Sequence, residues 1–491
     1  MTETAVPFGR RIRNLAESGP SQAAVVFVTA DGSERPLTWG ELDARSSQIG
    51  RVMAARGVGV GDRVGLELRN SPELVLCILA TWKLGAAPVP IRWDLPAWER
   101  HRLLEVVDGR LVIGPDDLAL VEQSRSQPAA PLPDVLGPRI SGTCSSGSTG
   151  SPKVIMTERP AVWDPEATEP FPTAWGPTAW GPIARPQVIL VPAPMYHTNG
   201  FATMLSLLNG DRLVLLERFD AARAIDLIER HRVTTFTATP TMLGRMARLP
   251  GVGRRDLSSL VWVLQGAAGI APSLVEAWID LIGAEHLYMA YGMTEALGLA
   301  AIRGDEWLAH RGSVGRGFRQ TELRILGPDG ADLPPGEIGE IYLRWPSSGT
   351  YTYRGGAPLL PSTDDGFGTA GDLGWLDEDG YLYVADRRVD LIITGGANVF
   401  PAEVEAALAD HPAIADVVVV GLIDGEWGRR VHAIVEPADP AAPPSADEVI
   451  AYARQRLAPY KVPKTVEVVD AVPRSEATKV SRSALVAARG G

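Results

Sequence analysis

A run of glycine and hydroxyl-bearing residues is the part of this sequence best suited to chemistry. Its members are Ser145, Ser146, Gly147, Ser148, Thr149, Gly150 and Ser151, followed by Pro152 and Lys153. Glycines let a backbone approach a ligand closely, and N–H groups with hydroxyls can surround phosphate oxygens. The run lacks the Gly-Lys-Ser/Thr ending of a P-loop and does not fit Gly-x-Gly-x-x-Gly. By itself it is either another kind of phosphate loop or a polar turn.

Further candidate residues occur in short motifs, several of them directly after an apolar run. They are His197 in PAPMYHTNG, Gly266, Ala267 and Ala268 in QGAA, Tyr291, Gly292, Met293, Thr294 and Glu295 in YGMTE, Asp372 in GDLG, Arg387 in DRRVD and Lys479 in PRSEATKVSR. A carboxylate such as Glu295 is a hard ligand suited to Mg²⁺. Asp372 could accept hydrogen bonds from two hydroxyls at once. Taken singly, each residue also fits an ordinary structural role, such as a core histidine, a tight turn or a surface lysine.

In this order the motifs resemble those of the adenylate-forming superfamily, which includes acyl-CoA synthetases, luciferases and the adenylation domains of peptide synthetases. The resemblance extends over nearly the whole chain, and the sequence is most similar to a stand-alone acyl-CoA synthetase. It departs from the family pattern at Val154, Asp386, Val389 and Thr478. The departures at 386 and 389 fall in the segment that resembles the family's hinge.

The resemblance implies a nucleotide-binding set. It consists of Ser145, Ser146, Gly147, Ser148, Thr149, Gly150, Lys153, Gly266, Ala267, Ala268, Tyr291, Gly292, Met293, Asp372 and Arg387. Within this set, Tyr291 would pack on the adenine, and Asp372 and Arg387 would contact the ribose. The implied catalytic residues are Lys479, Thr294, Glu295 and His197. Thr294 would contact the α-phosphate, Glu295 would hold Mg²⁺, and His197 would border the carboxylate and the thiol tunnel.

The implied activity is ATP-dependent conversion of a carboxylic acid to an acyl-adenylate, followed by transfer to the thiol of coenzyme A. An alternative is an adenylating enzyme of secondary metabolism that passes its activated group to a carrier protein or an amine, or that activates nitrite for diazotisation. A nucleotide-binding scaffold with a dead site is disfavoured, because the catalytic residue types are all present. Residues 196–201, 265–269 and 293–297 would line the acid pocket. They are mostly apolar or small, which favours an apolar or aromatic acid.

The elements that must position these residues follow an α/β pattern. Thr38 and Glu41 fit a capping box, and Ser71-Pro72 fits a helix start. Short apolar runs at 188–191 and 260–264 are typical of strands buried on both faces of a parallel sheet. The resemblance implies a large N-terminal domain of stacked sheets and helices with a small barrel-like region, over 1–386. It implies a small, mobile C-terminal α/β domain over 387–491.

The composition of the chain restricts the classes of partner that we expect. The 491-residue chain has a formal net charge of -12 and no basic stripe, so we expect no nucleic-acid partner. The spacing of Cys77 and Cys144 fits no metal-binding motif, and we expect both to be reduced thiols. The longest apolar stretch, residues 74–84, is shorter than the ~20 residues of a membrane span, and the first residues lack a signal peptide's apolar region. We therefore expect a cytoplasmic protein without an integral membrane segment, and a homodimer is possible. The tandem TAWGP copies within residues 158–182 are interpreted as an extended loop.

Overall fold

The secondary structure alternates strands and helices through most of the chain. This computed structural model describes residues 5–145, 152–164, 184–345, 351–356, 358–387, 390–475 and 478–490. The first elements are β1 (Val6–Pro7), α1 (Phe8–Ser18), β2 (Ala23–Val28), β3 (Glu34–Thr38), α2 (Trp39–Ala55), β4 (Arg63–Leu66), α3 (Pro72–Lys83), β5 (Ala87–Pro90), α4 (Ala97–Val107), β6 (Leu111–Ile113), α5 (Leu118–Gln123), β7 (Gly142–Ser145), β8 (Lys153–Thr157) and β9 (Val162–Trp163).

The middle of the chain supplies most of the largest sheet. Its elements are β10 (Val188–Val191), α6 (Thr198–Leu207), β11 (Arg212–Leu216), α7 (Ala221–His231), β12 (Thr235–Ala238), α8 (Pro240–Ala247), β13 (Trp262–Gln265), α9 (Pro272–Ile282), β14 (Leu287–Gly292), β15 (Leu299–Arg303), α10 (Gly304–Ala309) and β16 (Arg316–Gly317). The antiparallel strands that follow are β17 (Glu322–Leu326), β18 (Gly339–Arg344), β19 (Tyr351–Arg354), β20 (Asp372–Leu376) and β21 (Leu382–Arg387).

The C-terminal elements form a sheet of their own. They are β22 (Ile392–Thr394), β23 (Ala397–Val399), α11 (Pro401–Ala409), β24 (Ile414–Asp424), β25 (Gly428–Pro437), α12 (Ala446–Arg454), β26 (Thr465–Val468) and α13 (Arg482–Ala487). The sheet has the order β23-β22-β25-β24, and β26 pairs with β25. The mixed α/β class with a large N-terminal and a small C-terminal domain is thereby confirmed.

The largest sheet has helices on both faces. Its strand order is β16-β15-β14-β13-β12-β10-β11-β2-β3, and the central neighbours from β14 to β2 are parallel. On β10, Ile189 and Val191 belong to the core with α1, α2, α3 and α6, while Leu190 belongs to the core with α7, α8 and α9. Alternate residues of a strand point to opposite faces. A strand covered on both faces therefore needs the continuous apolar run that the sequence shows at 188–191.

Local signals in the sequence fix several helix starts. Thr38 accepts from the amide of Glu41, whose carboxylate accepts from the amide of Thr38, so the predicted capping box is confirmed. Ser71 accepts from the amide of Leu74, and Pro72 stands at the first position of α3. Among the described residues, no helix combines the length and apolar character that crossing a membrane requires. Burial raises the pKa of the Cys77 thiol to about 12, and the thiol is therefore protonated at neutral pH.

Candidate active site

The motif residues collect at one edge of the largest sheet. Strands β10, β12, β13 and β14 are parallel neighbours, so their carboxyl ends lie at the same edge. His197, Thr239, Gly266 and Glu295 follow these four strands, in that order. Ligands of open α/β sheets bind beyond the carboxyl ends of the strands. The topology therefore explains how residues up to about a hundred positions apart can reach one site.

Glu295 lies in a cluster that only the folded chain assembles. Lys153 Nζ is 3.2 Å from Glu295 Oε1, and the Tyr353 hydroxyl donates to the same oxygen at 2.5 Å. The Lys153 ammonium also lies 4.0 Å from the centre of the Tyr353 ring. Lys153 begins β8 and Tyr353 lies on its antiparallel neighbour β19, which brings both side chains toward Glu295. The structure thus unites two predicted residues and adds Tyr353, which the sequence analysis missed.

The electrostatics of this cluster keep the tyrosine protonated. Burial and the Glu295 carboxylate both raise the pKa of Tyr353 well above its usual range. The phenol therefore donates its hydrogen bond at any neutral or moderately alkaline pH. A partial signal for Tyr353 is present in the sequence, because Tyr351 and Tyr353 are two apart and so share one face of a strand. Only the pairing of β19 with β8 reveals which residues that face meets.

His197 and Thr294 lie near each other on neighbouring segments. His197 immediately precedes α6, and the first residue of that helix, Thr198, has its hydroxyl 3.2 Å from the Thr294 hydroxyl. Burial lowers the pKa of His197 to about 3, with smaller contributions from the positive charges of Lys479 and Arg92. His197 is therefore neutral at physiological pH. The C-terminal region lies near this part of the site, since Thr478, the residue before Lys479, contacts Thr239 after β12.

Asn70 holds the segment that leads into His197. Its amide group donates to the carbonyls of Ala193 and Leu216 at 3.1 and 3.0 Å, and its carbonyl accepts from the amide of Met195 at 2.8 Å. Asn70 is buried, so these bonds satisfy polar groups that water does not reach. The sequence analysis did not single out Asn70. An asparagine after a strand carries no signal that would distinguish this role from a turn.

The predicted ribose-side residues also lie together. The Tyr291 hydroxyl donates to Asp372 Oδ2 at 2.7 Å, and Asp372 pairs in register with Arg387 across β20 and β21. In the turn after β13, Gln265 donates to the carbonyl of Ala268 at 2.7 Å, and Ala267 has a φ of 75°. These contacts bring Tyr291 beside Asp372, while Gly266–Ala268 form a tight turn.

Two further predicted residues lie at the end of β14 and directly after it. Gly292 ends β14 opposite Leu299, and Met293 packs against the apolar cluster around Ile341. Ser145 ends β7, but Ser146, Gly147, Ser148, Thr149 and Gly150 lie outside the described residues, as do Arg388 and Val389 of the hinge prediction and most of the TAWGP segment. Arg387 is the last residue of β21.

The segment carrying Lys479 forms a turn that contacts the N-terminal domain. The Ser475 amide donates to the carbonyl of Lys479 at 2.9 Å, and the Thr478 amide donates to the carbonyl of Ser475 at 2.7 Å. The Thr478 hydroxyl donates to the hydroxyl of Thr239, which follows β12, at 2.7 Å. Lys479 is thereby held beside the carboxyl edge of the largest sheet, in agreement with its effect on His197.

Family models match almost the whole length of the chain. One described as AMP-binding enzyme matches residues 12–138 and 143–352, and one described as AMP-binding enzyme C-terminal domain matches residues 403–479. The chain belongs to the AMP-binding enzyme family. This is the adenylate-forming superfamily that the motifs resemble, so that prediction is confirmed. Lys479 is the last residue of the C-terminal match, whereas a domain division at 386/387 stays a prediction.

Individual relatives cover similar lengths. Feruloyl-CoA synthase from an Amycolatopsis species is 32% identical, over 90% of this chain and 92% of that enzyme. The fatty acid–[acyl-carrier-protein] ligase ScoC of Streptomyces coeruleorubidus is 30% identical, over 92% and 91%. The structure of o-succinylbenzoate CoA synthetase (MenE) from Bacillus subtilis with its acyl-adenylate intermediate is 28% identical, with a TM-score of 0.80 and 98% of each chain covered. MenE has also been solved with ATP and magnesium.

The family's magnesium ion fits the residues present. Among the described residues, no three His, Cys, Asp or Glu side chains are grouped so that they could hold a metal by themselves. Mg²⁺ is commonly bound by one or two carboxylates together with waters and substrate phosphates. Glu295 is a single carboxylate with only 11% of its side chain exposed, beside the hydroxyl-bearing Thr294. Such a site suits a metal that arrives with a nucleotide.

Proposed function

We propose that this enzyme uses ATP to activate a carboxylic acid as an acyl-adenylate and then transfers the acyl group to the thiol of coenzyme A. The observation that carries the proposal is the convergence of Lys479, His197, Thr294 and Glu295 at one edge of the sheet. The feruloyl-CoA synthase and o-succinylbenzoate CoA synthetase relatives support the same pair of reactions.

The chemistry requires two anions to meet. A carboxylate oxygen must attack the α-phosphorus of ATP, and pyrophosphate must leave. Lys479 and Lys153 supply positive charge, and the hydroxyls of Thr294 and Thr198 supply donors. Positioned charges and donors of this kind account for most of the catalysis in phosphoryl and nucleotidyl transfers. A bound Mg²⁺ on Glu295 would neutralise phosphate charge.

His197 contributes to the site as a neutral group. With its pKa lowered to about 3, its ring adds no charge beside the acid. A neutral imidazole can donate one hydrogen bond and accept another. We propose that it orients the carboxylate and later borders the path of the thiol. The thiolate sulfur, formed by loss of the thiol proton, then attacks the acyl carbon, and AMP leaves with the bonding electrons of the anhydride.

We propose an apolar or aromatic acid as the substrate. Tyr196 and Phe201 are buried beside His197, and Met293 and Leu297 are partly buried near Glu295. An apolar pocket favours an acid without a second charge. The feruloyl-CoA synthase relative acts on an aromatic acid with one carboxylate, which supports the same class here. ATP and coenzyme A are cytoplasmic substrates, and we propose that location for the enzyme.

A carrier protein is the competing acceptor. The ScoC relative is a ligase for a fatty acid and an acyl-carrier protein, and it matches this chain at nearly the same identity as the CoA synthetase. Both acceptors present a thiol on a pantetheine arm, so the adenylation step is common to the two hypotheses. An amine acceptor and nitrite activation remain further alternatives from the motif resemblance.

The test is ATP–pyrophosphate exchange over a panel of aromatic, aliphatic and dicarboxylic acids, with nitrite included. We expect exchange with at least one apolar or aromatic acid, and thioester formation when coenzyme A is added. Positive ATP–pyrophosphate exchange, together with a thioester that forms on a pantetheinylated carrier protein but not on coenzyme A, would select the competing acceptor. Exchange only with nitrite, or with none of the panel, would contradict the proposal.

A further inference from the structure

Thr478, the residue before Lys479, has an unusual backbone conformation. Its φ is 59°, in the left-handed region. That region is unfavourable for a residue branched at Cβ, and glycine is the residue that normally adopts it. The motif that carries Lys479 resembles a family pattern with glycine at this position. The chain therefore keeps the conformation suited to glycine while using threonine.

The surrounding turn enforces this conformation. The Ser475 amide bonds the Lys479 carbonyl at 2.9 Å, and the Thr478 amide bonds the Ser475 carbonyl at 2.7 Å. The Arg474 guanidinium donates to the Thr478 carbonyl at 3.0 Å and also pairs with Asp416 on β24 at 2.8 Å. These bonds tie the turn to the C-terminal sheet and leave the Thr478 side chain directed toward the N-terminal domain.

The side chain of Thr478 meets a fixed partner there. Its hydroxyl donates to the Thr239 hydroxyl at 2.7 Å, and Thr239 is only 6% exposed. Thr239 caps α8 by accepting from the amide of Met242 at 3.4 Å. It also follows β12 directly, at the sheet edge that carries the other site residues. Glycine at 478 could not form this bond.

Two other contacts between the two domains lie at the surface among the described residues. The Arg248 guanidinium donates to the carbonyl of Ala415 at 2.6 Å, and the Ser273 hydroxyl donates to Asp410. Both contacts involve exposed side chains, whereas Thr239 is buried. A buried hydrogen bond is costly to break, because the partner left behind loses its donor without gaining water.

We propose that Thr478 is a positioning residue, whose hydroxyl fixes the Lys479 turn to Thr239 during adenylation. The side-chain bond compensates for a backbone conformation that threonine adopts unfavourably. The functional part of this inference rests on the proposed role of Lys479, but the anchoring of the turn does not. Thr478→Val keeps the shape and removes the hydroxyl, Thr478→Ser restores a hydroxyl, and Ser273→Ala is a matched control at an exposed contact.

The first measurement is the rate of ATP–pyrophosphate exchange. We expect Thr478→Val to lower kcat about three- to tenfold with little change in the KM for ATP, as for loss of one partly buried hydrogen bond. Thr478→Ser should stay within about twofold of wild type, and Ser273→Ala should match wild type. Thr239→Val should resemble Thr478→Val, and the double variant should be no slower than either single variant. Multiplying effects, or a Thr478→Val enzyme at the wild-type rate, would overturn the proposal.

The second measurement does not depend on any substrate. Hydrogen exchange of peptides covering residues 475–482 reports how firmly the turn is held. We expect faster exchange in Thr478→Val and wild-type exchange in Ser273→Ala. Unchanged exchange in Thr478→Val would overturn the anchoring even if the enzyme activates an acid. Suppose that hydrogen exchange is faster in Thr478→Val but the wild-type protein activates no acid of the panel. That result would contradict the proposed function and still support the anchoring of the turn.

Discussion

At the scale of single residues, Glu295 shows how the site is balanced before substrates bind. Its carboxylate is only slightly exposed, pairs with the Lys153 ammonium and accepts a hydrogen bond from the phenol of Tyr353. A partly buried charge without partners would be costly. The same three groups are suited to nucleotide binding, because Lys153 can turn to a phosphate while Glu295 accepts a metal. The sequence motifs include Lys153 and Glu295, whereas Tyr353 is recognised only from the pairing of β19 with β8.

Glu295→Gln keeps the shape of the side chain and removes its charge. We expect a higher Mg²⁺ requirement and slower adenylation with an unchanged fold, because a neutral amide is a poorer ligand for a hard cation. Titrating MgCl₂ in the exchange assay measures the requirement, and thermal unfolding checks the fold. Glu285→Gln, at an exposed carboxylate, is the control. Wild-type metal dependence in Glu295→Gln would mean that the carboxylate only pairs with Lys153 and Tyr353 and does not hold the metal.

Tyr353→Phe tests the residue that the sequence analysis missed. The variant keeps the ring under Lys153 and removes the hydrogen bond to Glu295. We expect ATP–pyrophosphate exchange to slow by about ten- to a hundredfold, as for loss of one hydrogen bond to a charged group. Tyr460→Phe, at a half-exposed ring in the C-terminal domain, should leave the rate unchanged. Equal rates in wild type and Tyr353→Phe would show that Lys153 alone positions the carboxylate.

His197 makes stability depend on pH in a defined direction. Its pKa is about 3 in the folded chain and about 6.5 when unfolded, so below pH 6.5 the unfolded chain binds the extra proton. The folded state therefore loses stability as pH falls from about 6.5 toward 3. We expect the free energy of unfolding to drop less between pH 7 and pH 5 in His197→Gln than in wild type. Parallel pH dependence in urea unfolding of the two proteins would contradict the burial of a neutral His197.

At the scale of elements, features set by residues close together in the chain were predictable, and contacts between distant residues were not. The capping box at Thr38 and the start of α3 at Ser71 depend on residues a few positions apart, and both are confirmed. The predicted strand at 260–264 lies instead at Trp262–Gln265, because residues 257–260 form a turn before it. The contact of Tyr353 with Glu295 joins residues 58 positions apart. No single-sequence pattern encodes such a pairing.

The junction of α2 and α3 contains a buried ion pair with a measurable effect. Lys83 is 5% exposed, and its ammonium donates to Asp43 Oδ1 at 2.6 Å and to the Ser47 hydroxyl at 2.9 Å. Burial lowers the pKa of Lys83 to about 8, although Asp43 opposes that shift. Asp43→Ala would leave the ammonium buried without its counter-charge. We expect a loss of about 3–5 kcal/mol in the free energy of unfolding.

Arg125→Ala provides the matched comparison for that measurement. Arg125 and Glu122 form an exposed pair, with 60% and 57% of their side chains accessible. Exposed pairs contribute at most about 1 kcal/mol, so this variant should unfold nearly as wild type does. Urea unfolding of wild type and both variants measures the change in the free energy of unfolding. A loss below about 1 kcal/mol in Asp43→Ala would mean that water or another group replaces the carboxylate.

At the scale of the whole molecule, the candidate site combines segments from the N-terminal and C-terminal parts of the chain. Lys479 comes from the C-terminal end, yet its charge acts on His197 in the N-terminal domain. The order of motifs along the chain predicts which residues take part, and the fold adds the distances between them. Thr239 illustrates the difference, because nothing in its surroundings in the sequence marks it as the contact for the Lys479 turn. The phosphate loop and the hinge at Val389 stay predictions.

The most direct test of the central claim compares the two half-reactions in Lys479→Ala, with the acid that gives the fastest exchange in wild type. We expect ATP–pyrophosphate exchange to slow by about a hundredfold or more, because a charge partner of the transferring group is lost. Thioester formation from preformed acyl-adenylate should change far less, since no α-phosphate bond to pyrophosphate is broken in that step. Equal loss in both half-reactions, with the fold intact, would contradict the assignment of Lys479 to adenylation.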